Sequence, residues 1–385
     1  MGKINLLILW IIIVIQACTT DKSHDNSVTM ERSSDWPIFR GNSRLTGITE
    51  ERLPDKLKLL WTFKTGDEIK SSPVIALGQV YIGSGDNRIY DIDLVTGSKI
   101  WEFDTGDDVE AAPLFVDTTI YVGNLDGVMF ALDALTGSLK WKYATEGQIY
   151  GSANWASIPT LKKNYILSGN YDTQMYCFDS QTGIPVWTFE TDNYINGAPA
   201  TDGKIAIFGG CDARLHIVNV LDGIKVGEIN AGSYIAGSAA MDKGRAYLGH
   251  YGEKLLCMDL VEKKIIWEYS SGESGAVFFS SPAVNDNIVL IGCRDKQVHC
   301  VNKKDGTGLW QFRTRDDVDA SPVICDKKAV IASMDGRIYL LNITDGSLLW
   351  SYEIGEAISA SPAVSAKKIV VAAEDGKVYC FGESL

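Results

Sequence analysis

The chain has 385 residues, of which 45% are hydrophobic and 10% aromatic, which is enough to bury a core and too apolar for a disordered protein. Against 36 Lys and Arg stand 49 Asp and Glu, giving a formal net charge of -13. The summed field repels phosphates and anionic headgroups, so the composition argues against nucleic-acid binding and leaves neutral or cationic partners open.

The first residues have the pattern of a secretory signal peptide. An apolar run over residues 6–15 is too short for a membrane span, which needs about 20 residues. The segment 15–18, Ile-Gln-Ala-Cys, resembles the lipobox of bacterial lipoproteins, whose cysteine is lipidated and becomes the new N-terminus. We predict a signal peptide at 1–17, lipidation of Cys18 and a polar tether at 18–35. The alternative is an ordinary cysteine after an uncleaved anchor.

The residues after the cysteine bear on the destination of the protein. Thr19 and Thr20 follow Cys18, so no acidic residue stands at the positions that direct lipoprotein sorting. By resemblance to those sorting rules, we expect a lipid-anchored protein of the outer membrane. The side of that membrane stays open.

Tryptophans recur at intervals near 40 residues through the rest of the chain. They are Trp61, Trp101, Trp141, Trp187, Trp267, Trp310 and Trp350. The long interval from Trp187 to Trp267 divides at Gly227, where the repeat continues without its tryptophan. A period of this length means one supersecondary unit per repeat, either an α-hairpin or a four-stranded blade.

The unit consists of four short strands, called A to D. Runs of β-branched and aromatic residues are separated by Gly, Asp and Thr-Gly turns, and no window sustains a helical period. Strand A begins with small residues in eight repeats, as at 71–73 (Ser-Ser-Pro) and 320–322 (Ala-Ser-Pro). Small residues are needed where innermost strands converge on one axis. We therefore predict an all-β fold, an eight-bladed β-propeller of four-stranded antiparallel blades over residues 57–382.

The two ends of the repeat array complement each other. Residues 57–63 form a D strand with no A to C strands before it, whereas the last repeat ends at Phe381 without a D strand. We predict that the N-terminal strand D joins the C-terminal A to C strands, which closes the ring and removes exposed sheet edges. The preceding segment, 36–56, is expected to be a lead-in that plugs or crosses one face.

The segment 131–141, Ala-Leu-Asp-Ala-Leu-Thr-Gly-Ser-Leu-Lys-Trp, recurs with close copies in other repeats. It resembles the tryptophan-docking repeat of quinoprotein-like (PQQ-repeat) propellers, and this implies that the tryptophans listed above pack between blades. Gly227 and the turn at 261–264 depart from the pattern in adjacent blades, and we expect them to weaken one seam. A lipid-anchored single propeller of eight blades resembles the family of the outer-membrane β-barrel assembly factor BamB.

The resemblance to BamB implies a non-catalytic binding or scaffolding protein whose partners are envelope proteins, a β-barrel assembly complex being one candidate. The enzymatic alternative is a PQQ-dependent alcohol or sugar dehydrogenase. Those enzymes use adjacent cysteines over the quinone, and the sequence has no Cys-Cys dipeptide. We therefore predict no catalytic residues and no quinone cofactor.

The cysteines beyond Cys18 are not arranged as ligands. Cys177, Cys257, Cys300 and Cys380 fall at the same position of four repeats, too far apart for a disulfide, and are expected to be small buried residues. The others lack the spacing of a zinc site, so no metal site is predicted.

One face of the propeller is the candidate binding face, because the D-to-A loops and the B-to-C turns meet there. Turn chemistry does not require the consecutive carboxylates found at 107–110 and 316–319. The residue at the inner mouth differs from blade to blade. Trp155 in a six-residue insertion, Phe278 and Phe279 beside a three-residue insertion, and Tyr150 and Tyr194 are expected to offer an aromatic patch for a peptide or glycan. Surface drift and core packing are the alternative explanations. The candidate residues are Lys70, Asp107, Asp108, Glu110, Tyr150, Trp155, Asn196, Phe279, Asp316, Asp317 and Asp319.

Overall fold

A computed structural model describes residues 35–383. The predicted signal peptide, Cys18 and nearly all of the tether lie outside the described residues. Between 35 and 383 the chain folds into eight four-stranded antiparallel sheets, seven of them built from consecutive strands, and one of these seven gains a short fifth strand. The prediction of an all-β, eight-bladed propeller is confirmed. The described part of the chain contains no helix with the length and apolar character needed to cross a membrane.

The strands of each blade follow one another outward from the axis. The innermost A strands of blades 1 to 8 are Val74–Ala76, Leu114–Val116, Asn154–Ile158, Ala200–Thr201, Ala240–Asp242, Ala283–Val284, Val323–Cys325 and Ala363–Ser365. The B strands are Gln79–Ser84, Thr119–Gly123, Lys163–Gly169, Ile205–Gly209, Arg245–His250, Ile288–Cys293, Lys328–Ala332 and Lys368–Ala373. The C strands are Arg88–Asp93, Val128–Asp133, Gln174–Asp179, Arg214–Asn219, Lys254–Asp259, Gln297–Asn302, Arg337–Asn342 and Lys377–Gly382. The outer D strands are Lys99–Asp104, Leu139–Ala144, Pro185–Glu190, Lys225–Asn230, Lys264–Tyr269, Gly308–Arg313, Leu348–Glu353 and, closing blade 8, Lys58–Lys64.

Blade 8 combines the two ends of the array. Its outer strand, Lys58–Lys64, pairs antiparallel with Lys377–Gly382, and Trp61 lies opposite Cys380 as the tryptophans of other blades lie opposite their C strands. The predicted closure is confirmed. The pairing ties residues more than 300 positions apart, so the ring leaves no open edge at its seam.

A tryptophan–glycine contact joins neighbouring blades. The indole N–H of Trp101 donates to the Ala134 carbonyl at 3.0 Å, and its ring covers Gly137, where a Cβ would lie 2.7 Å from the ring. Gly137 also has a positive φ of 70°, which a glycine adopts without strain. The same indole-to-carbonyl bond is made by Trp61, Trp141, Trp187, Trp267 and Trp310.

The seam between blades 4 and 5 uses a different contact. Gly227 stands where the tryptophan would be, and Lys263 stands where the turn glycine would be. The Lys263 chain lies over Gly227, where a Cβ would come within 2.6 Å of Cε, and its ammonium donates to the Val226 carbonyl at 2.7 Å. The two departures fit each other, because the Lys263 chain fills the space that the missing indole leaves; that this seam is weaker than the others stays a prediction.

The lead-in segment plugs the ring on the side where the A strands end. Its carbonyls accept hydrogen bonds from successive A strands: Trp36 from Ile75 at 2.8 Å, and later Gly47 from Ile324 at 2.9 Å. Ile48–Thr49 then pairs parallel with Val323–Cys325 as the fifth strand of blade 7. The lead-in therefore closes one end of the axial channel.

Candidate functional site

The face opposite the lead-in is built by one interaction repeated in every blade. The first residue of each B-to-C turn donates its N–H to a carbonyl of the D-to-A loop, as from Gly85 to Glu68 at 2.9 Å and from Cys211 to Tyr194 at 2.9 Å. These bonds hold eight loops and eight turns together around the axis. Loops and turns share one face, as the sequence predicted.

The axis opens on this face as a cavity of about 410 Å³, which we call the axial cup. Phe39 of the lead-in lines its inner end and forms its floor. The variable mouth residues all line the axial cup, and they are Lys70, Glu110, Tyr150, Asn196, Ala236, Phe279, Asp319 and Ser359. The structure thus brings six of the eleven candidate residues together in one cavity.

Below the mouth lies a ring of six hydroxyls, called here the serine crown. Its members are Ser72, Ser152, Ser238, Ser281, Ser321 and Ser361, while Ala112 and Ala198 occupy the other two blades. Each hydroxyl accepts a backbone N–H of the preceding blade at 2.8–3.0 Å. Small residues here satisfy the steric demand of closure, and serine also links the blades. The crown residues line the cavity, and each hydroxyl that accepts one N–H retains a second lone pair.

Carboxylates crowd blades 7, 8, 1 and 2. Burial raises the pKa of Asp108, and the charges of Asp107 and Asp67 raise it further. Burial likewise raises the pKa of Asp317, with Asp319 and Asp316 adding to the effect. These shifts mean that negative charge on the loops of blades 7, 8, 1 and 2 is energetically unfavourable unless a cation lies nearby.

Two of the mouth carboxylates are already paired with cations of the protein. Lys70 bonds Glu68 at 2.8 Å and Glu110 at 3.3 Å, and these carboxylates raise its pKa. Arg294 forms a bidentate pair with Asp319 at 2.9 and 2.8 Å, and its guanidinium lies 4.1 Å from the centre of the Phe279 ring. Asp319 and Glu110 are therefore not simply solvated charges.

Aromatic rings occupy blades 3 to 6. Tyr150 lies 4.6 Å from Tyr171, and Tyr171 stacks on Tyr194 at 4.7 Å with an interplanar angle of 7°. Across the mouth of the same half, Tyr251 meets Phe279 edge-on at 6.3 Å. The face is thus divided, with carboxylates on one side of the axis and aromatic rings on the other.

Sequence reasoning missed four residues of this face: Tyr171, Tyr251, Arg294 and Glu374. All four are the first residue of a B-to-C turn, a position that varies between blades as the mouth position does. That variability was the signal available in the sequence. In most blades the next residue is an aspartate, a common turn residue, which draws attention away from that signal.

The turn aspartates do have that explanation. Asp172 accepts a hydrogen bond from Tyr176 at 2.7 Å, and Asp86, Asp335 and Asp375 accept the same bond from the tyrosine four residues on. In blade 6 a histidine replaces the tyrosine. Its contact with the turn aspartate accounts for the close grouping of Cys293, Asp295 and His299, whose ligand atoms lie within 4.8 Å of one another.

Trp155 does not belong to the mouth. It lies in the A strand Asn154–Ile158, opposite Ile166, and packs beside residues of the lead-in such as Ile38. The six extra residues of blade 3 lengthen strands A and B and the turn between them, 159–162, on the lead-in side. Phe278 is fully buried. The aromatic patch was therefore wrong in including Trp155 and Phe278, whereas Tyr150, Tyr194 and Phe279 do face the mouth side.

The cysteines of the described residues are free thiols. Cys177, Cys257, Cys300 and Cys380 are buried, each opposite a tryptophan of the D strand. Burial raises the pKa of each of these thiols, so they remain protonated near neutral pH. They pack as small apolar residues.

Comparison with known proteins agrees with the geometry. The family model described as outer membrane protein assembly factor BamB matches residues 57–158 and 212–383. No curated protein sequence matches the chain. BamB from Moraxella catarrhalis is 17% identical with a TM-score of 0.72, covering 86% of this chain and 98% of its own.

Two other solved structures share the fold. The computationally designed protein Ika8 is 18% identical with a TM-score of 0.74, covering 85% of this chain and 100% of its own. Quinohemoprotein alcohol dehydrogenase from Comamonas testosteroni is 14% identical with a TM-score of 0.76, covering 92% of this chain and 82% of its own. At these identities the likeness concerns the fold, which hosts both an enzyme and a designed protein.

The closed ring, the tryptophan–glycine contacts and the variable mouth define a PQQ-repeat β-propeller. The family match covers most of the propeller. The chain belongs to the family of the outer membrane protein assembly factor BamB.

Proposed function

We propose that this protein is a non-catalytic scaffolding lipoprotein of the outer membrane, which holds an envelope protein on its mouth face during the assembly of outer-membrane proteins. The observation that carries the proposal is the contrast within the repeat. The tryptophan contacts and small A-strand residues recur around the ring, whereas the mouth residue differs in every blade and the first turn residue in most, with acids concentrated on one side of the axis and aromatic rings on the other. Variation confined to one face of a repeat protein is typical of a recognition surface.

The likeness to quinoprotein dehydrogenases raises a second candidate, which the mouth residues support less well. The quinone is a polycarboxylate, whereas the carboxylates of Glu110, Asp319 and Glu374 outnumber the cation Lys70 among the residues that line the axial cup. The sequence also lacks the adjacent cysteines of those enzymes. These residues do not fit the quinone, so the proposed function involves no cofactor and no catalytic step.

The first test neutralises acids of the mouth face that are free of internal cation pairs. We expect the triple variant Asp107→Asn, Asp108→Asn and Asp317→Asn to lose co-purifying envelope partners, most clearly at low salt. The reason is that exposed charges attract a basic partner over a screening length of about 8 Å at physiological ionic strength. The measurement is co-purification from detergent-solubilised envelope at two salt concentrations, followed by mass spectrometry.

The control makes the same charge change elsewhere, in the exposed residues Glu50→Gln, Asp222→Asn and Glu262→Gln. Both variants should keep thermal stability within about 0.5 kcal/mol of the parent, as surface substitutions usually do. If the mouth variant recovers every partner as well as the control does, the mouth face is not the binding surface and the proposal fails.

The predicted lipid anchor has its own test. Replacing Cys18 by serine should leave the propeller folded and release the protein from the outer-membrane fraction, because the lipidated thiol would be absent. The measurement is fractionation combined with intact mass. A Cys18→Ser protein with normal mass and normal fractionation would remove lipidation from the proposal.

A further inference from the structure

The axial cup admits an occupant from one side only. The lead-in closes its inner end, with Phe39 as the floor, so a ligand must enter and leave through the mouth. Its volume of about 410 Å³ falls within the range of small-ligand pockets, about 300–1,000 Å³. The cavity therefore suits the end of a side chain or a small molecule better than a chain passing through the ring.

The protein itself places two cations at the rim of the axial cup. Arg294 combines a bidentate carboxylate pair with a contact on the Phe279 ring, and Lys70 lies between two carboxylates. A planar or compact cation between carboxylates and an aromatic face gains both charge-assisted hydrogen bonds and cation–π attraction. The rim of the axial cup has thus the chemistry of a cation-binding ring.

Two parts of the rim are not paired with a Lys or Arg of the described residues. Glu374 lines the axial cup at the turn position of blade 8, the position that Arg294 has in blade 6, and no Lys or Arg of the described residues forms an ion pair with it. The rings of Tyr150, Tyr171 and Tyr194 also lie at the mouth, and no Lys or Arg of the described residues stacks on them. Between them, the serine crown offers free lone pairs as further acceptors of N–H groups.

We propose that the axial cup binds the head group of an organic cation, a guanidinium or alkylammonium, between Glu374 and the tyrosines of the aromatic half. The cation is a basic side chain presented by the partner protein; this identification of the carrier rests on the proposed function. The serine crown receives the remaining N–H groups. The acidic half attracts the partner, and the axial cup selects where its basic residue docks.

The direct test uses a small probe and the full chain in detergent. N-acetyl-arginine amide should bind, as measured by isothermal titration and saturation-transfer NMR. Its neutral isostere, N-acetyl-citrulline amide, should bind at least about tenfold more weakly, because it keeps the shape and most hydrogen bonds and loses the charge. Equal binding of the two probes would overturn the proposal, since the axial cup would then recognise shape alone.

Three variants sharpen the test. Glu374→Gln should weaken arginine amide binding, whereas Glu262→Gln on the opposite face should leave it unchanged. Lys70→Met should strengthen binding, because it removes an internal competitor and frees Glu68 and Glu110. Near-UV circular dichroism verifies that each variant is folded. Unchanged affinity in Glu374→Gln together with weaker binding in Lys70→Met would contradict the proposed site.

Failure of this inference can be told apart from failure of the proposed function. If arginine amide binds but does not displace the co-purified partners, the axial cup is a cation site. The claim that a basic side chain of the partner docks there is then refuted. If arginine amide does not bind while the mouth variant still loses partners, the scaffold proposal stands and the cation site is refuted.

Discussion

Replacing Trp141 by alanine is expected to lower the free energy of unfolding by about 3–5 kcal/mol, the usual range for a buried tryptophan. The indole is 9% exposed and donates to the Ser180 carbonyl at 2.9 Å. Its ring also covers Gly183 and contacts Tyr121 and Phe178, at centroid distances of 5.7 and 6.1 Å. The substitution would remove the indole from the contact between two blades and leave the Ser180 carbonyl with the Tyr121 hydroxyl, at 3.0 Å, as its remaining donor among the described residues. Urea and thermal melts followed by circular dichroism measure the loss.

Trp350 supplies the matched control. It has the same repeat position, but blade 8 takes its D strand from Lys58–Lys64, so among the described residues no C-to-D turn of that blade covers Trp350 and no carbonyl accepts from its indole. Trp350→Ala should therefore cost less stability than Trp141→Ala. Equal losses in the two variants would show that the turn glycine and the carbonyl bond contribute little to the seam.

Most of the fold was predictable because it depends on local repetition. The tryptophan period, the small residues that begin each A strand and the Thr-Gly turns each specify one blade, and eight copies specify the ring. The closure of the ring could also be predicted. The array begins with a single D strand and ends with a repeat that lacks one, so the two ends complete one blade. These features need no knowledge of contacts between distant residues.

What the sequence did not reveal depends on contacts between blades. Gly227 and Lys263 look like separate defects 36 positions apart, and only their meeting across the seam shows that one compensates the other. Trp155 looked like part of the mouth because it follows Tyr150 closely in the chain, but the strand has already reached the lead-in there, since the side chain of Asn154 donates to the Ser43 carbonyl at 2.7 Å. The division of the mouth into two halves likewise required the ring, since its residues come from every blade.

Asp91 is a buried residue that sequence reasoning overlooked, and it supports a prediction of stabilisation. It is completely buried between Tyr81 and Trp101 on the neighbouring strands, and its carboxylate oxygens make no hydrogen bond of normal geometry, the backbone N–H of Ile92 offsetting only part of the rise in pKa. Burial, helped by the charge of Asp93, raises its pKa from 3.8 to about 8. The other blades place apolar residues or cysteine here, namely Ala131, Cys177, Ile217, Cys257, Cys300, Leu340 and Cys380.

Replacing Asp91 by leucine, the residue of blade 7, is expected to stabilise the propeller by about 1–3 kcal/mol near pH 4, the cost of an unsatisfied buried polar group, and by more at higher pH. Between pH 4 and 8 the folded state holds a proton that the unfolded chain has released, so the stability of the parent attributable to this group falls across that window. The advantage of Asp91→Leu should therefore grow from pH 4 to 8 and then level. Asp91→Asn, which keeps the shape and polarity but does not titrate, should show the same pH dependence relative to the parent with a smaller gain in stability.

Urea melts of the three proteins at pH 5 and pH 8.5 measure both effects. A difference between parent and variants that does not change with pH would mean that Asp91 is ionised in the folded ring, and its burial would then need a partner that the seam does not contain.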